Sequence, residues 1–112
     1  MRQISASATF ASTHKDEREG PHLHGHTFIV KATELGLDTG VKYELMPDLR
    51  ALLSELHLHS LDDMLTGGSQ TLDGLGAWLM ERLLINHPRL VAVEVSTLDA
   101  PGLLVTVTRE IR

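Results

Sequence analysis

The chain predicts an α+β fold in which a four-stranded antiparallel sheet carries two helices on one face. Three observations predict it. Polar and apolar residues alternate near both ends of the chain, and two stripes of leucine at helical spacing occupy the middle. No linker, internal repeat or low-complexity segment divides them, so the 112 residues form a single domain, 1–112.

The elements follow in order. Residues 4–11, Ile-Ser-Ala-Ser-Ala-Thr-Phe-Ala, alternate as a half-buried strand does. Residues 15–20 form a charged loop that ends at Gly20 and Pro21. The second strand spans residues 24–34, with Phe28, Val30 and Ala32 on one face and Thr27, Ile29, Lys31 and Thr33 on the other. A turn is expected at Asp38-Thr39-Gly40. Pro47 suits the first position of a helix, and Leu49, Leu52, Leu53 and Leu56 then make one stripe. Residues 57–68 are a connection. Ser69 or Thr71 caps a second helix whose stripe is Leu72, Leu75, Trp78, Leu79 and Leu83. Gly74 and Gly76 each weaken that helix by roughly 1 kcal/mol relative to Ala, which points to close approach by another backbone. Pro88 stops the helix. Leu90–Ser96 is a third strand with Val91, Val93 and Val95 on one face. A type II turn is expected at Ala100-Pro101-Gly102-Leu103, with the last strand running from Leu103 to Thr108. Such a sheet has two exposed edges, and association through them is expected.

Composition removes several functions. There is no cysteine, hence no disulfide, thiolate metal site or thiol nucleophile. Lys+Arg number 10 against 15 Asp+Glu, and a net charge of −5 argues against a nucleic-acid surface. No apolar run reaches the roughly 18 residues of a membrane helix, and the first residues lack a signal peptide's apolar segment. A cytoplasmic protein with no membrane partner is expected. Histidine stands out: of 7, four (His14, His22, His24 and His26) fall close together.

Side chains two apart on a strand share a face, so His24 and His26 point the same way. His14, at the end of the preceding strand, can supply a third imidazole. Three imidazoles with an open fourth position describe a catalytic zinc site, although copper, nickel and iron accept the same donors. The competing reading is a pair of surface or hydrogen-bonded core histidines. His22 shares the face of His24 and His26 and reads first as a loop residue, with a fourth ligand or a group supporting the ligands as the alternatives.

Phe10-Ala11-Ser12-Thr13-His14 and His24-Gly25-His26-Thr27-Phe28 resemble the two signatures of the 6-pyruvoyl-tetrahydropterin synthase family, which includes the 6-carboxy-tetrahydropterin synthases. The resemblance extends to Asp38-Thr39-Gly40, to Pro47-Asp48-Leu49 and to Thr71-Leu72-Asp73 with Trp78. It implies a tunnelling fold (T-fold), ββααββ, whose subunits join their sheets into an oligomeric barrel, a homotrimer or hexamer with sites between subunits. It further implies zinc on His14, His24 and His26, and elimination of triphosphate from 7,8-dihydroneopterin triphosphate.

The departures are specific. The family's Cys base has no counterpart in Glu17-Arg18-Glu19-Gly20-Pro21-His22. The family's Asp-His pair is matched only by His59, preceded by Leu58. Its pterin-anchoring Glu falls at Thr97, with Asp99 two residues on. Some relatives use Glu in place of Cys, which makes Glu19 the candidate base; the alternative is that Glu17 and Glu19 belong to a solvated charged loop. Ligand contacts are expected from Thr97, Asp99 and Asp73. Two functions follow from the resemblance. One is a divergent protein that binds a pterin-like ligand near the metal and lacks the standard synthase reaction. The other is an active zinc-dependent carbon–oxygen lyase in which Glu19 or His59 replaces the thiol.

Overall fold

The computed structural model describes residues 2–15, 23–36, 44–61 and 71–110, apart from the side chains of His14, Lys15, Leu23, His24, Ala100 and Pro101. Among them are strands β1 (Arg2–Lys15) and β2 (Leu23–Gly36), helices α1 (Leu45–Leu56) and α2 (Leu72–Leu84), and strands β3 (Leu90–Thr97) and β4 (Ala100–Thr108). The sheet order is β1-β2-β3-β4, every pair antiparallel. The expected α+β architecture is therefore present. The expected Asp38-Thr39-Gly40 turn, the alternative Ser69 cap and the loop of Glu17, Glu19 and His22 lie outside the described residues. Among the described residues no helix is long and apolar enough to cross a membrane.

One face of the sheet packs on both helices. Phe28, Val30 and Ala32 are fully buried, as their alternation predicts, together with Leu49, Leu53 and Leu56 of α1 and Leu75 and Leu79 of α2. Phe10 pairs with Phe28 across β1 and β2, and their rings stack at 5.0 Å between centroids. Thr71 is the cap of α2: its hydroxyl accepts from the Gly74 amide at 3.1 Å.

Three elements differ from expectation. Pro47 is the third residue of α1, not the first; its missing N–H still falls in the first turn, where no intrahelical acceptor exists. In β3, Val91 is skipped by a bulge, since Thr33 pairs with Ala92 and Glu34 with Leu90. Leu90 consequently replaces Val91 in the core beside Val93 and Val95. The β3–β4 connection is the tight turn at Leu98–Asp99, because Thr97 already pairs with Ala100. Pairing resumes at Ser96 and Leu104, so Pro101-Gly102-Leu103 is an excursion within β4 and not the hairpin turn.

Gly76 is where α2 meets the sheet. A Cβ there would lie 2.9 Å from Cγ2 of Val107 and 3.6 Å from Cγ2 of Val95. The close neighbours are thus valine side chains and not a second backbone. Gly76→Ala gains about 1 kcal/mol of helix propensity but overpacks a stiff valine, which typically costs 1–3 kcal/mol. We expect a net loss of about 1 kcal/mol by chemical denaturation, and a gain when Gly76→Ala is made in a Val107→Ala background.

His87, after α2, joins three elements. Its Nδ1 lies 3.1 Å from Glu34 Oε2 on β2, and its Nε2 lies 2.7 Å from Asp48 Oδ2 on α1. The ring is 7% exposed. The bulge beside Glu34 sets the register that brings this carboxylate to the ring.

Candidate functional site

Alternate pairs on the β1–β2 ladder share a face. Phe10–Phe28 lies on the helix-facing side, so Ser12–His26 and His14–His24 continue that side toward the strand ends. The three expected metal ligands therefore occupy neighbouring register positions, with 14 directly opposite 24 and 26 two residues along. Directly opposed Cα atoms are about 4.5–5.5 Å apart. The His26 ring stands edge-on to Phe28 at 5.7 Å, at the boundary between core and site. Among the described residues no group of three or more His, Asp or Glu side chains is placed to hold a metal ion; the His14 and His24 side chains are outside that set.

The short β3–β4 turn brings a carboxylate to His26. The Leu98 amide donates to the Thr27 carbonyl at 2.9 Å, which holds the turn against β2. Asp99 Oδ1 then lies 3.0 Å from His26 Nδ1. Thr97, buried and paired with Phe28, ends β3 just before that turn. The His26 hydrogen bond holds the Asp99 carboxyl below the ordinary carboxylate range, and Asp99's own amide and the Thr97 hydroxyl act in the same direction. Asp99, expected as a ligand contact, is thus hydrogen-bonded to His26, and Thr97, expected likewise, lies two residues before it at the end of β3.

The segment after α1 docks on the outer edge of β1 at the same level. The Ala11 amide donates to His57 Nδ1 at 3.1 Å, and the Leu58 amide returns to the Ala11 carbonyl at 2.6 Å. The Ser12 hydroxyl donates to the His59 carbonyl, and Thr13 bridges to Ser60. Leu58 adopts φ 63°, a left-handed conformation that costs a side chain of this kind roughly 1–2 kcal/mol. The contacts on either side hold it there. His59 itself is exposed; it is its backbone carbonyl that meets Ser12, the register partner of His26. This docking also covers part of the β1 edge that the sequence leaves open.

Of the remaining expected residues, Asp73 is exposed in the first turn of α2, where its charge complements the helix dipole. Glu19 lies outside the described residues. Ser12 and His57 were not singled out by sequence reasoning. A His-x-His spacing at 57 and 59 is the only local signal, and it does not reveal a docking strand edge.

No family model matches the chain, and no curated protein matches it. Solved structures do. The 6-pyruvoyl tetrahydropterin synthase of Caenorhabditis elegans superposes with a TM-score of 0.74 at 15% identity, over 97% of this chain and 96% of that one. An uncharacterized protein from Wolinella succinogenes gives 0.70 at 15% identity, over 97% and 98%. A Plasmodium vivax 6-pyruvoyltetrahydropterin synthase, solved as an alanine variant of a catalytic glutamate, gives 0.63 at 13% identity, over 98% of each chain. The chain has the fold of these proteins along nearly its whole length.

Proposed function

We propose that this chain is a divergent 6-pyruvoyl-tetrahydropterin synthase-like protein that binds a pterin-like ligand beside a zinc ion on His14, His24 and His26, without the standard synthase reaction. The observation that carries this reading is the ladder register, which sets positions 14, 24 and 26 side by side where the buried phenylalanine row ends. The donor set suits the metal: three imidazoles fill three of four tetrahedral positions and leave one for a ligand oxygen. A zinc bound there supplies Lewis-acid polarisation of that oxygen.

The chain's own residues define the rest. Asp99 is engaged with His26, and Thr97 is unlike a carboxylate anchor: a hydroxyl cannot offer two parallel acceptors to an amino-pyrimidine edge. The chain has no thiol, and Leu58 stands directly before His59 where the family has Asp, so the family's standard proton-removing set is incomplete. The assembly in this reading is a cytoplasmic homotrimer or hexamer, with Asp73 contributing to the ligand pocket.

The second reading, a zinc-dependent carbon–oxygen lyase, keeps two supports. A glutamate serves as catalytic residue in the Plasmodium vivax enzyme, which favours Glu19 as base. His59 matches the histidine of the family's Asp-His pair, and its backbone carbonyl is anchored on Ser12, the register partner of His26. Incubation of the zinc-loaded protein with 7,8-dihydroneopterin triphosphate separates the readings. We expect saturable binding with no triphosphate release. Sustained release overturns the first reading, and its loss in Glu19→Gln or in His59→Ala then identifies the base. Absence of binding as well as release overturns both.

A further inference from the structure

We propose that Asp99 is the positioning residue of His26: it accepts the Nδ1 proton and thereby assigns Nε2 as the metal-donating nitrogen. The inference rests on the metal reading above and adds to it the atom through which His26 acts.

The argument begins with the ring. A neutral imidazole carries one proton, and the hydrogen bond made by one nitrogen decides which nitrogen is left to bind a metal. The 3.0 Å contact joins His26 Nδ1 to a carboxylate oxygen, which only accepts. The proton is therefore on Nδ1, and the lone pair that a metal requires is on Nε2. The partner is held in place by its turn: the Leu98 amide is fixed to the carbonyl of Thr27, the residue next to His26. Phe28 stands edge-on to the imidazole and limits its rotation.

The tight turn explains why Asp99 can do this. The β3 pairing continues through Thr97, so the chain reverses within Leu98 and Asp99, and Asp99 returns over the end of β2. A hairpin turn at residues 100–103, as the sequence predicts, would have left Asp99 within the strand pair. Carboxylates in this relation to a metal-binding imidazole raise its basicity and fix its orientation, and their removal typically lowers metal affinity about 10–100-fold.

The test uses the full chain with zinc as the probe. Zinc affinity is measured by competition with a chromophoric chelator in the unchanged protein, Asp99→Ala and Asp99→Asn. The His26 tautomer is read from imidazole ¹⁵N shifts in the metal-free protein at mildly alkaline pH. We expect Asp99→Ala to weaken zinc binding by about 10–100-fold and to move the ring away from the Nδ1–H tautomer. Asp99→Asn should lose less, since its amide oxygen still accepts from Nδ1. Asp99 is largely exposed in a turn, and thermal unfolding verifies that both variants fold. Equal zinc affinity in all three proteins, or an Nε2–H tautomer in the unchanged chain, overturns the proposal. A drop in pterin affinity alone, with zinc affinity unchanged, also overturns it and returns Asp99 to ligand anchoring. If the unchanged chain takes up no zinc, the metal reading fails, and the tautomer decides the positioning role by itself.

Discussion

His24→Ala is expected to reduce bound zinc from about one ion per chain to less than a tenth, with affinity lowered on the order of a thousandfold. The size follows from the number of donors. Protein zinc sites release roughly 10–16 kcal/mol on binding, so removal of one of three imidazoles forfeits several kcal/mol. The remaining two positions do not compensate. His14 and His26 are not register partners of each other: 14 pairs with 24, and 26 pairs with Ser12. Position 24 is the one that is directly opposite 14 and two residues from 26. Its loss therefore separates the other two. Elemental analysis after zinc supplementation and gel filtration checks this. Full occupancy in His24→Ala would show that the metal sits elsewhere. His87→Ala is the internal control, because it removes a histidine that is committed to Glu34 and Asp48.

How much of this was legible before any coordinates depends on the range of each interaction. The alternation of Phe28, Val30 and Ala32 is a local signal, and each is buried as it predicts. The pairing of positions 14 and 24 was also legible, since His14 and His24 sit at adjoining ends of two successive antiparallel strands. The bulge at Val91 was not. Val91, Val93 and Val95 are an unbroken alternation in sequence, and the irregularity arises only from what β2 presents opposite them. The Pro101-Gly102 pair signals a turn correctly, but the strand pairs once more before it, at Thr97 and Ala100. That single extra pair moves the reversal to Leu98–Asp99 and delivers Asp99 to a histidine 73 positions earlier in the chain. The resemblance pointed to Thr97 and Asp99 as ligand contacts, while the hydrogen bond from His26 to Asp99 is a tertiary fact with no sequence period. The docking of residues 57–60 on β1 is of the same kind.

The Glu34–His87–Asp48 cluster supports the second large effect: His87→Ala should lower stability by about 2–3 kcal/mol, with a fall in Tm on the order of 10 °C. Three polar groups explain the magnitude. The imidazole is buried, and Glu34, at 13% side-chain exposure, loses its hydrogen bond to the ring when the ring is removed. A carboxylate left buried and unpaired costs far more than the net worth of the pair that held it. Asp48 is different, since 41% of its side chain is exposed and water replaces the lost contact. The predicted order of destabilisation is therefore His87→Ala above Glu34→Gln above Asp48→Asn. Asp48→Asn should stay within about 1 kcal/mol, because the exposed end of the cluster contributes least. The arrangement also fixes where the damage appears. His87 ties the end of β2 to the first turn of α1, at the opposite end of β2 from His24 and His26. Zinc stoichiometry in His87→Ala should accordingly match that of the unchanged chain at temperatures well below its Tm. Chemical denaturation of the three variants checks the order, and equal stabilities among them would remove the cluster as a structural lock. A parallel loss of zinc in His87→Ala would instead show that the two ends of β2 are coupled through the sheet.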